Sequence, residues 1–137
     1  MISGLLLQAQ AAPPLATVDV HIDGMRSQKG IIRACLTRDS RFFPHCEKDP
    51  ASYKINSPAP AGAELHFRDV APGSYALVVL HDENGNARAD MFLGIPKEGV
   101  GFSNNPRLIT GPPSFATARF PVEGPRVETT IRLKYFL

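Results

Sequence analysis

Between residues 82 and 90 the chain sets five oxygen-bearing side chains within nine positions: Asp82, Glu83, Asn84, Asn86 and Asp90. Alternating carboxylate and amide oxygens suit a hard cation, because calcium takes about six to eight oxygen ligands. Read as positions one, three, five and nine of a binding loop, Asp82, Asn84, Asn86 and Asp90 form a candidate calcium site, with the Arg88 carbonyl at position seven. Two departures count against it. Ala87 stands where such loops carry Gly, and Leu93 where they carry a bidentate Glu. A remote carboxylate would have to complete the shell, and Glu98 is the candidate. The competing reading is metal-free: Asn84-Gly85 is a strong hairpin-turn signal, and Asp82 and Asn86 can cap such a turn through side-chain to backbone hydrogen bonds.

The next stretch, residues 94–105, is rich in glycine (Gly94, Gly99, Gly101) and polar groups. Lys97, Glu98, Ser103, Asn104 and Asn105 are hydrogen-bonding groups of the kind that hold sugars or peptides, and they form the candidate ligand-binding set. A self-packed loop satisfying its own backbone is the alternative. The segment is too short of apolar residues for a core element, and Phe102 is read as a plug into the core. Catalysis finds little support, with no G-x-S-x-G, H-E-x-x-H or P-loop motif. Of the four histidines, only His81 adjoins the loop, and a copper or zinc site from His21, His66 and His81 needs their strands adjacent.

The elements that must carry this loop read as strands. Thr17–Asp23, Gly30–Thr37, Ala63–Val70 and Arg126–Tyr135 alternate apolar and polar residues, as half-buried strands do. Ser114–Val122 reads as another strand, Ser52–Ile55 as a doubtful one, and 57–62 as a breaker. Gly73–Asp82 is apolar on both sides and so belongs in the middle of its sheet. No stretch shows a 3.6-residue apolar period. The expected fold is all-β, an antiparallel sandwich of about seven strands, immunoglobulin-like or transthyretin-like.

Composition bounds the class. A chain of 137 residues with 13 prolines and 11 glycines suits one turn-rich domain. A net charge of +2 argues against a nucleic-acid surface, and no apolar run approaches the roughly 20 residues of a membrane helix. Residues 1–14 are set apart: Leu5-Leu6-Leu7 followed by Ala9-Gln10-Ala11 reads as the remnant of an export signal, although the basic leader is missing and the apolar core is short. A disordered terminus is the alternative. The single domain is then 15–137. Cys35 and Cys46 flank a hydrophilic loop and are expected to form a disulfide in an oxidising compartment. The expected location is therefore periplasmic or secreted.

Three blocks then carry a resemblance: P-G-S-Y-A-L-V-V-L-H-D-E-N-G-N (72–86), D-M-F-L-G-I-P-K-E-G-V-G-F-S-N-N (90–105) and G-P-P-S-F-A-T-A-R-F (111–120). The sequence from Thr17 to Leu133 resembles the bacterial exported family known as domain of unknown function 2141. That resemblance implies an exported, single-domain β-sandwich and carries no activity. Ala87-Arg88-Ala89 departs from the G-K-L of that family before the Asp, and Val100 replaces an aromatic. More distantly, the Pro-Gly-x-Tyr strand before Asp-x-Asn-x-Asn is similar to transthyretin-like repeats, some of which bind calcium. The expected function is a non-enzymatic exported domain whose loop 82–105 meets a ligand, a cell-envelope component or a protein partner. The alternative is a small envelope enzyme or metal-handling protein centred on His81, Asp82 and Glu98.

Overall fold

Alternation along each segment decides which side chains meet the core, and the strands follow it. The computed structural model describes residues 13–86, 91–92, 95–96, 98–109 and 111–137. Strand β1 (Ala16–Asp23) buries Ala16, Val18, Val20 and Ile22 and turns Asp19 and His21 outward. β2 (Ile31–Thr37) buries Ile32, Ala34 and Leu36. β3 (Tyr53–Pro58) and β4 (Glu64–Val70) follow, with Leu65 and Phe67 inward from β4. β5 (Gly73–Asp82) is the longest strand, and it is followed by the two-residue strands β6 (Met91–Phe92) and β7 (Ile95–Pro96), which pair with each other. β8 (Gly99–Phe102), a single helical turn α1 (Phe115–Ala118), β9 (Phe120–Val122) and β10 (Arg126–Arg132) complete the described elements.

Two sheets face each other. One has the order β10-β1-β4; the other has the order β3-β2-β5-β8, with β9 paired to the start of β5. The core lies between them, with Val18, Val20, Phe67 and Ile131 from one sheet and Ile32, Leu36, Tyr75, Leu77 and Val79 from the other. An all-β sandwich is the architecture. β5 lies inside its sheet, as its apolar sequence requires: Tyr75, Leu77, Val79 and His81 alternate with Ala76, Val78, Leu80 and Asp82, and every one is buried or half-buried.

Four local findings differ from the sequence reading. First, β1 and β10 run parallel, in register from Thr17 opposite Arg126 to Asp23 opposite Arg132. The other named strand pairs are antiparallel. Second, β3 is a full strand that runs on to Pro58, at the sheet edge where a missing N–H costs no ladder bond. Third, Ser114–Val122 is not one strand. The Ser114 side chain accepts the Thr117 N–H and caps a turn of α-helix, and only Phe120–Val122 is extended.

Fourth, Gly99–Phe102 does form a core-edge strand, although it has few apolar side chains. Its glycines are the reason: a Cβ on Gly101 would lie 2.4 Å from the Ile131 side chain, and one on Gly99 2.4 Å from the Tyr135 ring. The apolar atoms that fill this part of the interior come from the opposite sheet and the segment after β10. Phe102 is buried, as expected of a plug, and meets Phe43 edge-to-face at 5.9 Å.

Candidate functional site

The loop between β5 and β8 stands on two feet, and a polar network fixes both. The first foot is the end of β5. Successive residues of a strand point to opposite faces, so His81 turns to the inner side and Asp82 to the outer one, and each is fully buried. His81 Nε2 lies 2.8 Å from the Lys29 carbonyl, and Nδ1 2.6 Å from the Tyr135 hydroxyl. A carbonyl only accepts, so Nε2 carries the proton and Nδ1 accepts from the tyrosine in the neutral ring. The Tyr135 oxygen in turn accepts the Arg26 N–H at 3.2 Å. Burial, above all, raises the Tyr135 phenol pKa.

Asp82 Oδ2 accepts from Arg33 Nε at 2.8 Å, and Oδ1 accepts the Asn86 N–H at 3.2 Å. Asn84 Oδ1 accepts that same N–H at 3.2 Å. The Gly85 N–H closes the turn onto the Asp82 carbonyl at 3.2 Å, and Gly85 takes the left-handed φ of +67°. Glu83 points back to the body of the domain. It accepts from Arg26 Nε and from the Ser27 hydroxyl, each at 2.8 Å, and the Arg26 contact holds its carboxyl below the usual range. The Arg26 guanidinium also lies over the Tyr135 ring, 4.4 Å from its centre.

The second foot is Glu98, buried just before β8, whose carboxylate accepts the Glu83 N–H at 3.0 Å. Gly30 lets the feet sit close to β2. Its φ is +71°, and a Cβ there would fall 2.1 Å from the Asp82 carbonyl oxygen.

Among the expected cation ligands, Asp82, Asn84 and Asn86 share one turn, with Asp82 and Asn84 oxygens converging on one backbone N–H. Asp90 lies outside the described residues, as do Ala87 and Arg88 of the calcium reading. Among the described residues no group of three or more His, Cys, Asp or Glu is arranged to hold a metal. The expected ligand-binding residues divide. Lys97 lies outside the described residues. The Ser103 hydroxyl is buried, accepts the Leu77 N–H at 2.9 Å and donates to the Ala118 carbonyl. Asn104 donates to the Thr117 and Arg119 carbonyls, both at 2.9 Å, and so ties α1 to the end of β8. Asn105 donates to the Thr130 carbonyl at 2.9 Å and accepts the Arg132 N–H at 2.8 Å. Glu98 is a foot of the loop.

His81 and Asp82 leave β5 on opposite sides, and Glu98 meets the Glu83 N–H between β5 and β8. The three histidines lie apart: His21 and His66 lie on the outer face of the three-stranded sheet, and His81 is interior to the other sheet. Sequence reasoning missed Arg26, Tyr135 and Arg33, which fix the loop base. Their only sequence signals are an aromatic after the last strand, a cation in a turn and a cation within a strand, and all are common.

Cys35 and Cys46 form a disulfide, Cα to Cα 5.9 Å, and no free cysteine remains. The bridge closes the loop that carries Phe43, which packs against both Phe102 and Phe115. No described helix is long and apolar enough to cross a membrane. The fold and the braced loop define a stapled all-β sandwich with a polar network at the end of β5. Residues 20–130 match the family model described as an uncharacterized protein conserved in bacteria, DUF2141, and the chain belongs to that family. No curated protein and no solved structure matches the chain.

Proposed function

We propose that this chain is an exported, non-enzymatic binding module, periplasmic or secreted, whose working surface is the loop 82–105. One observation carries the reading: the loop is anchored at both feet by hydrogen-bonded polar groups, with half-buried Glu83 held by Arg26 and Ser27 and buried Glu98 closing onto the Glu83 N–H. Buried polar groups are costly unless fully partnered, so a network of this kind is a means of holding a surface in one shape. Preorganisation of that sort lowers the ordering cost of binding. The disulfide supports export, since such bridges persist in oxidising compartments.

Calcium pins the loop in this reading, with Asp82, Asn84, Asn86 and Asp90 as ligands. The support is that the turn brings Asp82 Oδ1 and Asn84 Oδ1 close enough to share the Asn86 N–H, a contact that a bound cation would replace. At a hundred times its Kd, calcium should stabilise the fold by about 2.7 kcal/mol. Thermal melts in chelator and in millimolar calcium test this, alongside Asn84→Ala, which should lose most of the shift. Identical melts in the two buffers would remove calcium from the reading. Cell fractionation tests export, and a cytoplasmic pool with two free thiols would overturn it.

A further inference from the structure

Beside Asn105 is an open cleft of about 270 Å³, lined by Asp23, Asn105, Thr130, Arg132 and Lys134. Its floor is the edge of β10. There the Asn105 amide imitates a neighbouring strand, donating to the Thr130 carbonyl and accepting the Arg132 N–H. This holds Asn105 in a left-handed conformation, φ +46°, and covers the main-chain groups that a pairing strand would otherwise use. What the cleft then offers is side chains.

Their charges are unbalanced. Asp23 is directly opposite Arg132 in the parallel pair, yet its carboxylate turns along its own strand to His21 Nε2, 2.9 Å away. Arg132 and Lys134 enter no ion pair among the described residues. Two cations therefore line a small concavity whose one carboxylate is already engaged. A guanidinium presents a planar fork matched to a carboxylate, and an ammonium adds a point charge. Thr130 and Asp23 stand beside them, able to accept from a hydroxyl or ammonium.

We propose that this cleft binds a small organic carboxylate that carries a hydrogen-bond donor near its charged end, a sugar acid or an amino acid. The carboxylate faces Arg132 and Lys134, and the donor faces Asp23 and Thr130. The size agrees, since the volume is just under the ~300–1,000 Å³ range of sites for drug-sized molecules. The proposal rests on the binding-module reading but places its ligand outside the calcium turn.

The test is a titration of the full chain followed by amide chemical shifts, with glucuronate, glucose, L-alanine and inorganic phosphate as separate probes. Saturable shifts centred on Asn105, Thr130, Arg132 and Lys134 are expected with glucuronate or L-alanine, and the tighter of the two names the source. Glucose should leave those amides in place, and phosphate should bind at least tenfold more weakly. Arg132→Ala should weaken binding tenfold or more, with Lys134→Ala as a second variant; both side chains lie at the surface of the cleft, so the melting temperature should hold. Asn84→Ala should bind as the parent does, so failure of the calcium turn is separable from failure here. Glucose or phosphate matching the carboxylates, or no shift with any probe at ten millimolar, overturns the proposal.

Discussion

The Tyr135 hydroxyl donates to His81 Nδ1 at 2.6 Å, across the seam where the segment after β10 meets β5. The Lys29 carbonyl fixes the imidazole from the other side, and the two rings meet edge-to-face with centres 5.9 Å apart. The main chain reinforces the seam, because Val100 and Lys134 exchange two backbone hydrogen bonds, at 3.0 and 2.9 Å. Segment and sheet are thus tied through both main chain and side chain, directly below the loop.

Tyr135→Phe removes that donor and leaves a fully buried ring nitrogen without it. Leaving a buried acceptor unsatisfied costs about 1–3 kcal/mol, and the Arg26 N–H loses its acceptor as well. Urea unfolding should show a lower midpoint with an unchanged slope. The cation stacked on the ring is retained in the variant, so a loss much above this range points to repacking of the seam.

Reduction, or the double substitution of Cys35 and Cys46 by Ser, should destabilise the fold by somewhat under ~3 kcal/mol, from the 11-residue separation of the two cysteines. The effect should reach further than the loop itself. Phe43 is held against Phe102 and Phe115, so amide exchange should quicken in β8 and α1 as well as in residues 38–45. Faster exchange confined to 38–45 would show that the aromatic contacts do not depend on the bridge.

His21 gives the fold a pH dependence of definite sign. Glu64 bonds its Nδ1, Asp23 lies 2.9 Å from its Nε2, and Thr130 faces it from β10. The Glu64 hydrogen bond is the largest influence and raises the imidazole pKa, with desolvation opposing it. A folded pKa above the unfolded value of about 6.5 means that the charged ring stabilises in full below that pH. The contribution is lost as pH rises through the folded value. Melting temperatures from about pH 5 to about pH 9 should therefore fall less steeply in His21→Asn than in the parent. The difference is small, because the group is solvent-exposed and screened. A gap between parent and variant that widens with rising pH is the contrary result.

Strand positions were legible wherever one face is wet, because burial then alternates residue by residue. Thr17–Asp23 and Ala63–Val70 fall within a residue of β1 and β4. Partnership was not legible: nothing local in Thr17–Asp23 says that residues 126–132 lie beside it in parallel. Gly99–Phe102 misled because the apolar groups filling its space belong to Ile131 and Tyr135, far away in sequence. At the candidate site, the turn at Asp82–Asn86 could be read from Asn-Gly and its flanking oxygens. Its bracing could not, since Arg26, Arg33 and Tyr135 approach from three other parts of the chain. Ser103 and Asn104 show the same limit, as hydroxyl and amide look alike on paper whether they face a ligand or a carbonyl of the fold.

The parallel pairing of β1 with β10 sets an order of events. During synthesis, β1 must wait for a strand that starts at Arg126 before its second edge is covered. Contacts this distant close slowly. Until that last ladder closes, the smaller sheet is only the β1–β4 pair, itself joined across some forty residues. A chain so wired completes its smaller sheet late, once β10 is at hand to lie beside β1.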